Sequence, residues 1–382
     1  MMNVIPVARF RSSGNPMKPT RLTPLVALLI ATPLSADPLP RWALGPFLRP
    51  ADAQPVIRPD KASVFSCPMS DRDIHWEALH TFNPAAVLLN EQICVLYRAE
   101  DDSGEMHIGG HTSRLGLATS RDGVTFERRP APVFFPAKDD QRDNEWDGGC
   151  EDPRIVTAPD GSFVITYTQY NKRSVRLGVA TSKNLVHWEK RGSAFRGTRY
   201  ENLATKSAAV VHEVKDGQLV AAKIDGKYWM YFGEAQVNVA TSDDLTHWKP
   251  LESEPGKLLS LIEPRMGRFD SKLTEVGPQA VRTDAGIVLI YNGKNAENDD
   301  RDKQLKPGVY SCGQVLFDAK APTRVVDRLD KPFFQPELTW EASGQYAAGT
   351  TFAEGLVYRN GAWYLYYGCA DSFVGVAMCR PN

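Results

Sequence analysis

The chain has 382 residues, 42% of them hydrophobic, with 45 Lys and Arg against 46 Asp and Glu and a formal net charge of −1. That is ample for a large core, and it excludes the basic excess a nucleic-acid-binding surface carries. Mixed-sign runs such as 299–303 (DDRDK) read as solvated loop.

In chain order, residues 1–36 stand apart. Lys18 and Arg21 precede an apolar run at 25–34 (LVALLIATPL), followed by Ser35-Ala36. This positive, apolar, small-residue order is that of a secretory signal, and the run is too short for a permanent span. The expectation is cleavage near Ala36 and export to the periplasm or the outside, with no membrane association of the mature chain; an uncleaved N-terminal anchor is the alternative. Residues 37–80 follow as a lead-in, Pro-rich over 37–75 and predicted to run extended along the outside of the core. Residues 81–382 are predicted to form one domain.

From about Phe82 a phrase returns about five times. One half is a hydrophobic run around a turn, ending in an aromatic-rich strand: 155–170, 208–233, 280–293 and 355–368. The other half is a short strand, a tight turn and an aromatic: 115–126 (LGLATSRDGVTF), 177–188 (LGVATSKNLVHW) and 237–248 (VNVATSDDLTHW). Units begin near Pro84, Pro153, Ser207, Pro278 and Phe352. Repeats of roughly 40–50 residues, each a few strands long, predict an all-β fold, a β-propeller with its ligand site at the central axis. Asp122-Gly123, Asp160-Gly161, Asp216-Gly217, Asp225-Gly226 and Asn360-Gly361 mark hairpin turns. Phe126, Trp188 and Trp248 share one repeat position and are predicted to pack between units. Polar insertions at 136–150 and 296–309 are long for hairpins and are candidates to line the mouth of a site. The six cysteines match no zinc spacing; Cys369 and Cys379 could bridge neighbouring strands or stay free.

The segment 148–154 (GGCEDPR) opens the second unit with two adjacent carboxylates, a proline and an arginine. Proline tolerates a first strand position, so the carboxylates fall where an inner strand begins. Neighbouring strand residues point to opposite faces, so one of Glu151 and Asp152 is predicted to face the axis. The alternative is a strand-start turn closed by a salt bridge to Arg154.

This string resembles the hallmark of glycoside hydrolase family 130, five-bladed propellers acting on β-mannosides. Residues 82–87 (FNPAAV), 96–100 (LYRAE), 206–209 (KSAA), 275–278 (EVGP) and 367–371 (YGCAD) resemble further family phrases, so the likeness runs over about 80–380. Ser207 departs from the usual Lys-Asp-Ala. The resemblance implies a five-bladed β-propeller, inverting chemistry, no metal or other cofactor, and a manno-oligosaccharide substrate. It places Asp152 as general acid, and Asn83, Arg98, Glu151, Arg154, Lys206, Glu275 and Asp371 as substrate-binding candidates. A buried carboxyl among other acids would have the raised pKa that proton donation needs. Tyr231 could stack on a sugar face; His107 and His111 lie on a polar loop, as surface residues or near the leaving group.

Many family members use phosphate as nucleophile and close the third unit with a His-Arg pair. Here that place reads Gly233-Glu234. A carboxylate repels phosphate and can accept a proton from water, so Glu234 is the candidate general base of an inverting hydrolase, whose two carboxyls stand about 6.5–9.5 Å apart. Glu234 could instead only bind a hydroxyl or pair with Lys206. The competing functions are a mannoside phosphorylase and a non-catalytic glycan-binding propeller. Oligomeric state is not legible.

Overall fold

The computed structural model describes Met1 and residues 38–380; the expected signal segment, Met1 aside, lies outside the described residues. The fold is all-β and β-propeller-like. Among the described residues the helical elements are single turns at Arg142–Glu145 and Thr339–Glu341.

Antiparallel meanders follow one another along the chain. The first runs His80–Leu89, Gln92–Glu100, Ser113–Ser120 and Glu127–Arg128. The second runs Gly149–Thr157, Phe163–Tyr170, Val175–Ser182 and Trp188–Ser193. The third runs Ala208–Lys215, Lys227–Phe232, Val237–Ser242 and Trp248–Pro250. The fourth runs Ala280–Thr283, Gly286–Lys294, Tyr310–Phe317 and Val325–Arg328. The fifth has Thr351–Arg359, Ala362–Cys369 and Phe373–Cys379. The lead-in lies on its outer edge, with Leu48 bridged to Met378 and Ile57 to Val374. The first strands of the meanders adjoin: Ala86, Thr157, His212, Gln279 and Leu356, one from each region, line one small cavity of about 10 Å³.

The local sequence explains these elements. Asn360-Gly361, Asp216-Gly217 and Asp225-Gly226 each join paired strands as two-residue loops, with φ near +50° and then near +75°. That is the type I′ geometry matching strand twist, which Asn, Asp and Gly adopt cheaply. Asp122-Gly123 belongs to a different turn. The Ser closing each Ala-Thr-Ser phrase accepts a hydrogen bond from the amide three residues on: Ser120 from Gly123, Ser182 from Leu185 and Ser242 from Leu245, at 2.8–3.0 Å. Those amides belong to residues with positive φ. The following indoles of Trp188 and Trp248 donate back to the carbonyls of Leu185 and Leu245. Trp248, 1% exposed, then packs with Val156, Val179 and Met230 between the second and third meanders. Burying such a ring contributes roughly 4–6 kcal/mol of transfer free energy.

All six cysteines are free and buried. Cys369 pairs with Phe373 and Cys379 with Trp363, at opposite ends of one hairpin. The disulfide considered from sequence is therefore absent, because the register separates the two sulfurs by the length of the hairpin.

Candidate active site

The inner strands open with a repeated irregularity. The register slips between Phe82 and Pro84, between Glu151 and Arg154, and between Ala353 and Gly355. Asn83 and Asp152 have positive φ (47° and 45°) at these slips, a conformation Asn and Asp tolerate better than most residues. A bulge re-aims a side chain. Here it breaks the strict alternation expected of Glu151 and Asp152, and both carboxylates converge on one guanidinium.

That guanidinium is Arg98. It lies 2.7 Å from Glu100, 2.8 Å from Glu151 and 3.1 Å from Asp152. Its Nε donates to Ser113 Oγ at 2.9 Å, and its plane covers the Phe82 ring at 4.5 Å. A second cation, Lys206, joins the opposite side. Its Nζ is 3.2 Å from Asp152 Oδ2, 3.3 Å from Glu275 Oε1 and 3.6 Å from Glu234 Oε2. Asn83 Nδ2 donates to Asp152 Oδ1 at 2.8 Å, and Ser207 Oγ donates to Glu275 at 2.6 Å. Gly368 makes room for Asn83: a Cβ there would lie 2.4 Å from Asn83 Oδ1.

These contacts set the protonation states. Burial would raise the Asp152 carboxyl, but Lys206, Arg98 and Arg154, with the Asn83 hydrogen bond, hold it well below the usual carboxylate range. The raised value expected for Asp152 is therefore not what the free site provides. Its neighbour takes that place: burial, against the pull of Arg98 and reinforced by the charges of Asp152 and Glu100, pushes Glu151 to about 7. Burial likewise lifts Asp371 to about 6, with Arg98 opposing and Asp152 and Glu100 reinforcing. Burial also raises Glu275, with Lys206 opposing and Glu234 reinforcing. For Lys206 burial works against the charge, and Glu275, Asp152 and Glu234 outweigh it.

Asn83, Arg98, Glu151, Asp152, Lys206, Glu234 and Glu275 thus meet in one site, with half-buried Asp371 close enough to feel its charges. Glu234 is the exposed member, its side chain 47% accessible. Two expected members do not belong. Tyr231 is fully buried, stacks on Phe317 at 4.5 Å and donates to the Pro322 carbonyl at 2.9 Å. It fills the core between the third and fourth meanders, because its strand position faces the neighbouring sheet. Arg154 is 1% exposed, donates to the carbonyls of Asp152, Val276 and Gly277 and forms an ion pair with Glu354 at 2.6 Å. It clamps the second, fourth and fifth meanders beneath the site rather than reaching a substrate. His107 is an exposed loop residue, whereas His111 is 2% exposed.

Glu354 escaped the sequence reading. It is the residue skipped by the register slip of the fifth meander, as Asn83 is in the first. Aligning the repeats on their bulges would have found it. Tyr310 was also missed; its phenol is raised by burial and by Glu275 and Asp371, with Lys206 opposing. A groove of about 800 Å³ lies elsewhere, along 129–141 and 186–191, and contains none of the convergent carboxylates. The chemistry, not the volume, marks the site.

Comparison with known proteins places the chain. The glycoside hydrolase family 130 model, described as β-1,4-mannooligosaccharide phosphorylase, matches residues 51–381. A 1,2-β-oligomannan phosphorylase of Thermoanaerobacter sp. (strain X514) is 33% identical over 315 residues, 81% of this chain and 93% of its own. A solved glycosyl hydrolase from Bacteroides ovatus is 52% identical, with a TM-score of 0.88 over 90% of this chain and 96% of that one. Another solved structure is also 52% identical, with a TM-score of 0.89 over 91% of this chain and 97% of that one. It is described in the words that the family "contains glycoside hydrolases that target beta-1,2 mannosidic linkages in Candida mannan".

Proposed function

Because the chain belongs to glycoside hydrolase family 130, we propose that it cleaves β-mannosides, β-1,2-linked manno-oligosaccharides foremost, by inverting hydrolysis. The observation that carries this reading is the Lys206 hub. It contacts Asp152 at 3.2 Å and Glu234 at 3.6 Å, so the two carboxylates flank one cation as the pair of acids that glycoside hydrolysis needs. The solvent-exposed member, Glu234, is the general base, since water reaches it first. The buried member, Asp152, lies on the acid side.

The acid side works as a pair. Glu151 and Asp152 share the Arg98 guanidinium, and with Glu151 pushed to about 7 one proton is retained near neutrality. Asp152, ionised in the free site, orients a sugar hydroxyl, and the retained proton passes through that hydroxyl to the leaving oxygen. Arg98, Asn83, Lys206, Glu275 and Asp371 hold the sugar. Phosphate would need cationic donors free to meet it. Arg98 already faces three carboxylates and Arg154 an ion pair with Glu354, so their positive charge is matched before a dianion arrives, and Glu234 adds a negative charge. The solved neighbour described as targeting β-1,2 mannosidic linkages supports the same reading. The phosphorylase relative supports the alternative, in which phosphate displaces the leaving sugar.

In the same reading each meander is one blade of a five-bladed propeller, and residues 1–36 direct export with the N-terminus of the mature protein near residue 37. N-terminal sequencing of the exported protein checks the latter. The deciding assay is incubation with β-1,2-, β-1,3- and β-1,4-mannobiose, with and without phosphate. Mannose released equally in both conditions supports hydrolysis. Mannose 1-phosphate, formed only with phosphate, overturns it.

A further inference from the structure

Beside the sugar site, three residues with no direct part in the proposed bond cleavage bring metal-ligand chemistry together. His80 opens the first inner strand, Glu100 closes the strand paired with it, and the two are direct register partners. His111 returns from the loop that follows. One donor atom from each of His80, Glu100 and His111 lies within 4.8 Å of the others. His111 is 2% and Glu100 1% exposed.

The surroundings orient both imidazoles. His111 Nδ1 lies 2.8 Å from the Ser103 carbonyl, which can only accept, so Nδ1 carries the proton. His80 Nδ1 lies 3.1 Å from Ser372 Oγ. That hydroxyl donates to the Ala370 carbonyl at 3.2 Å, so it receives its proton from His80. Both Nε2 atoms are thereby left as lone-pair donors, and neither has a hydrogen-bond partner among the described residues. Fixing the outer nitrogen with a carbonyl or hydroxyl is how proteins orient ligating histidines. Glu100 takes Arg98 on Oε1 at 2.7 Å and Gln345 on Oε2 at 3.1 Å. A carboxylate offers about four lone-pair positions, so capacity remains for a third partner. The loop is itself anchored, with Asp101 bonded to Ser103 and Arg114.

We propose that His80, Glu100 and His111 form a binding site for a divalent transition cation of the zinc class at the edge of the sugar pocket. Two imidazoles and one carboxylate suit zinc and leave a position open for water or a hydroxyl. Zinc–ligand bonds of about 2.0–2.1 Å place tetrahedral ligands roughly 3.4 Å apart, so the three side chains have to close by little more than about 1 Å. The cation takes no part in the acid–base steps above, and the site stands whether the enzyme is a hydrolase or a phosphorylase.

The test uses the full chain, stripped with chelator and titrated with Zn²⁺ by calorimetry and with Co²⁺ by visible absorption. One ion per chain, a micromolar or tighter dissociation constant and Co²⁺ bands typical of low coordination are expected. His80→Gln and His111→Gln each weaken binding at least tenfold. Ser372→Ala, which releases the His80 ring, weakens it about 10–100-fold. His107→Gln, an exposed histidine of the same loop, leaves it unchanged. Circular dichroism confirms that each variant is folded, and half-exposed His80 is the substitution best tolerated. No saturable Zn²⁺ binding, or binding indifferent to both His80→Gln and His111→Gln, overturns the proposal.

Discussion

Replacing Lys206 with Met tests the electrostatics of the site most directly. Its ammonium stands 3.2 Å from Asp152, 3.3 Å from Glu275 and 3.6 Å from Glu234. At these distances and an effective dielectric near 20, each attraction is about 5 kcal/mol. The Lys206 side chain is 24% and that of Glu234 47% accessible, so solvent screening lowers the operative value to about 1–2 kcal/mol per pair. One pKa unit corresponds to about 1.4 kcal/mol. Without Lys206 the carboxyls of Asp152 and Glu275 lose a charge that favours their ionised forms and both rise, so the anionic forms require a higher pH. The acidic limb of kcat/KM against pH, measured with mannobiose, should move about one unit to the alkaline side, and kcat at pH 7 should fall about 10²–10³-fold. Lys206→Arg, which restores the charge, should return the limb while kcat stays low. A Lys206→Met limb within about 0.3 unit of wild type would refute the shared-cation picture.

Glu234→Gln should lower kcat about 10²–10⁴-fold with KM little changed, and azide should restore turnover as a mannosyl azide; unchanged hydrolysis removes Glu234 as base. Arg154→Met strands the buried carboxylate of Glu354 and should cost about 3–5 kcal/mol in urea unfolding. Adding Glu354→Gln should recover about 1–3 kcal/mol, and strict additivity would show that the pair is not coupled. Glu151 binds its proton more tightly when folded, with a pKa near 7, so the stabilisation is complete below about pH 4.5 and is lost as pH rises through 7. Stability should fall by about 2–3 kcal/mol over that window, and Glu151→Gln should flatten the slope; equal slopes in both proteins contradict the assignment.

The repeat was legible because a strand–turn–aromatic phrase leaves a periodic mark, and the predicted unit starts near Pro84, Pro153, Ser207, Pro278 and Phe352 fall on or beside the observed inner strands. Asp152, Arg98 and Lys206 were legible through the resemblance carried by 148–154. What escaped depends on backbone irregularity and on neighbours distant in the chain. Strand alternation assigned Glu151 and Asp152 to opposite faces, and the bulge overrode it. Arg154 looked like a sugar ligand because nothing local reveals that Val276, Gly277 and Glu354 are its partners. Tyr231 looked like a stacking platform because its strand is aromatic throughout, and the neighbouring sheet decides which ring is covered. His111 read as a surface residue because Glu100 and His80 approach it only through strand register.

Leu48 and Ile57, hydrogen-bonded to the final strand near Met378 and Val374, have a consequence for assembly. The last meander finishes with a piece contributed by the front of the chain, some 320–330 positions earlier in sequence. So distant a contact is slow to form and leaves a raw sheet edge until it does. That edge is therefore covered only after the ribosome has delivered the final strand, and clipping the first two dozen residues of the described segment would leave it open to pair with another molecule.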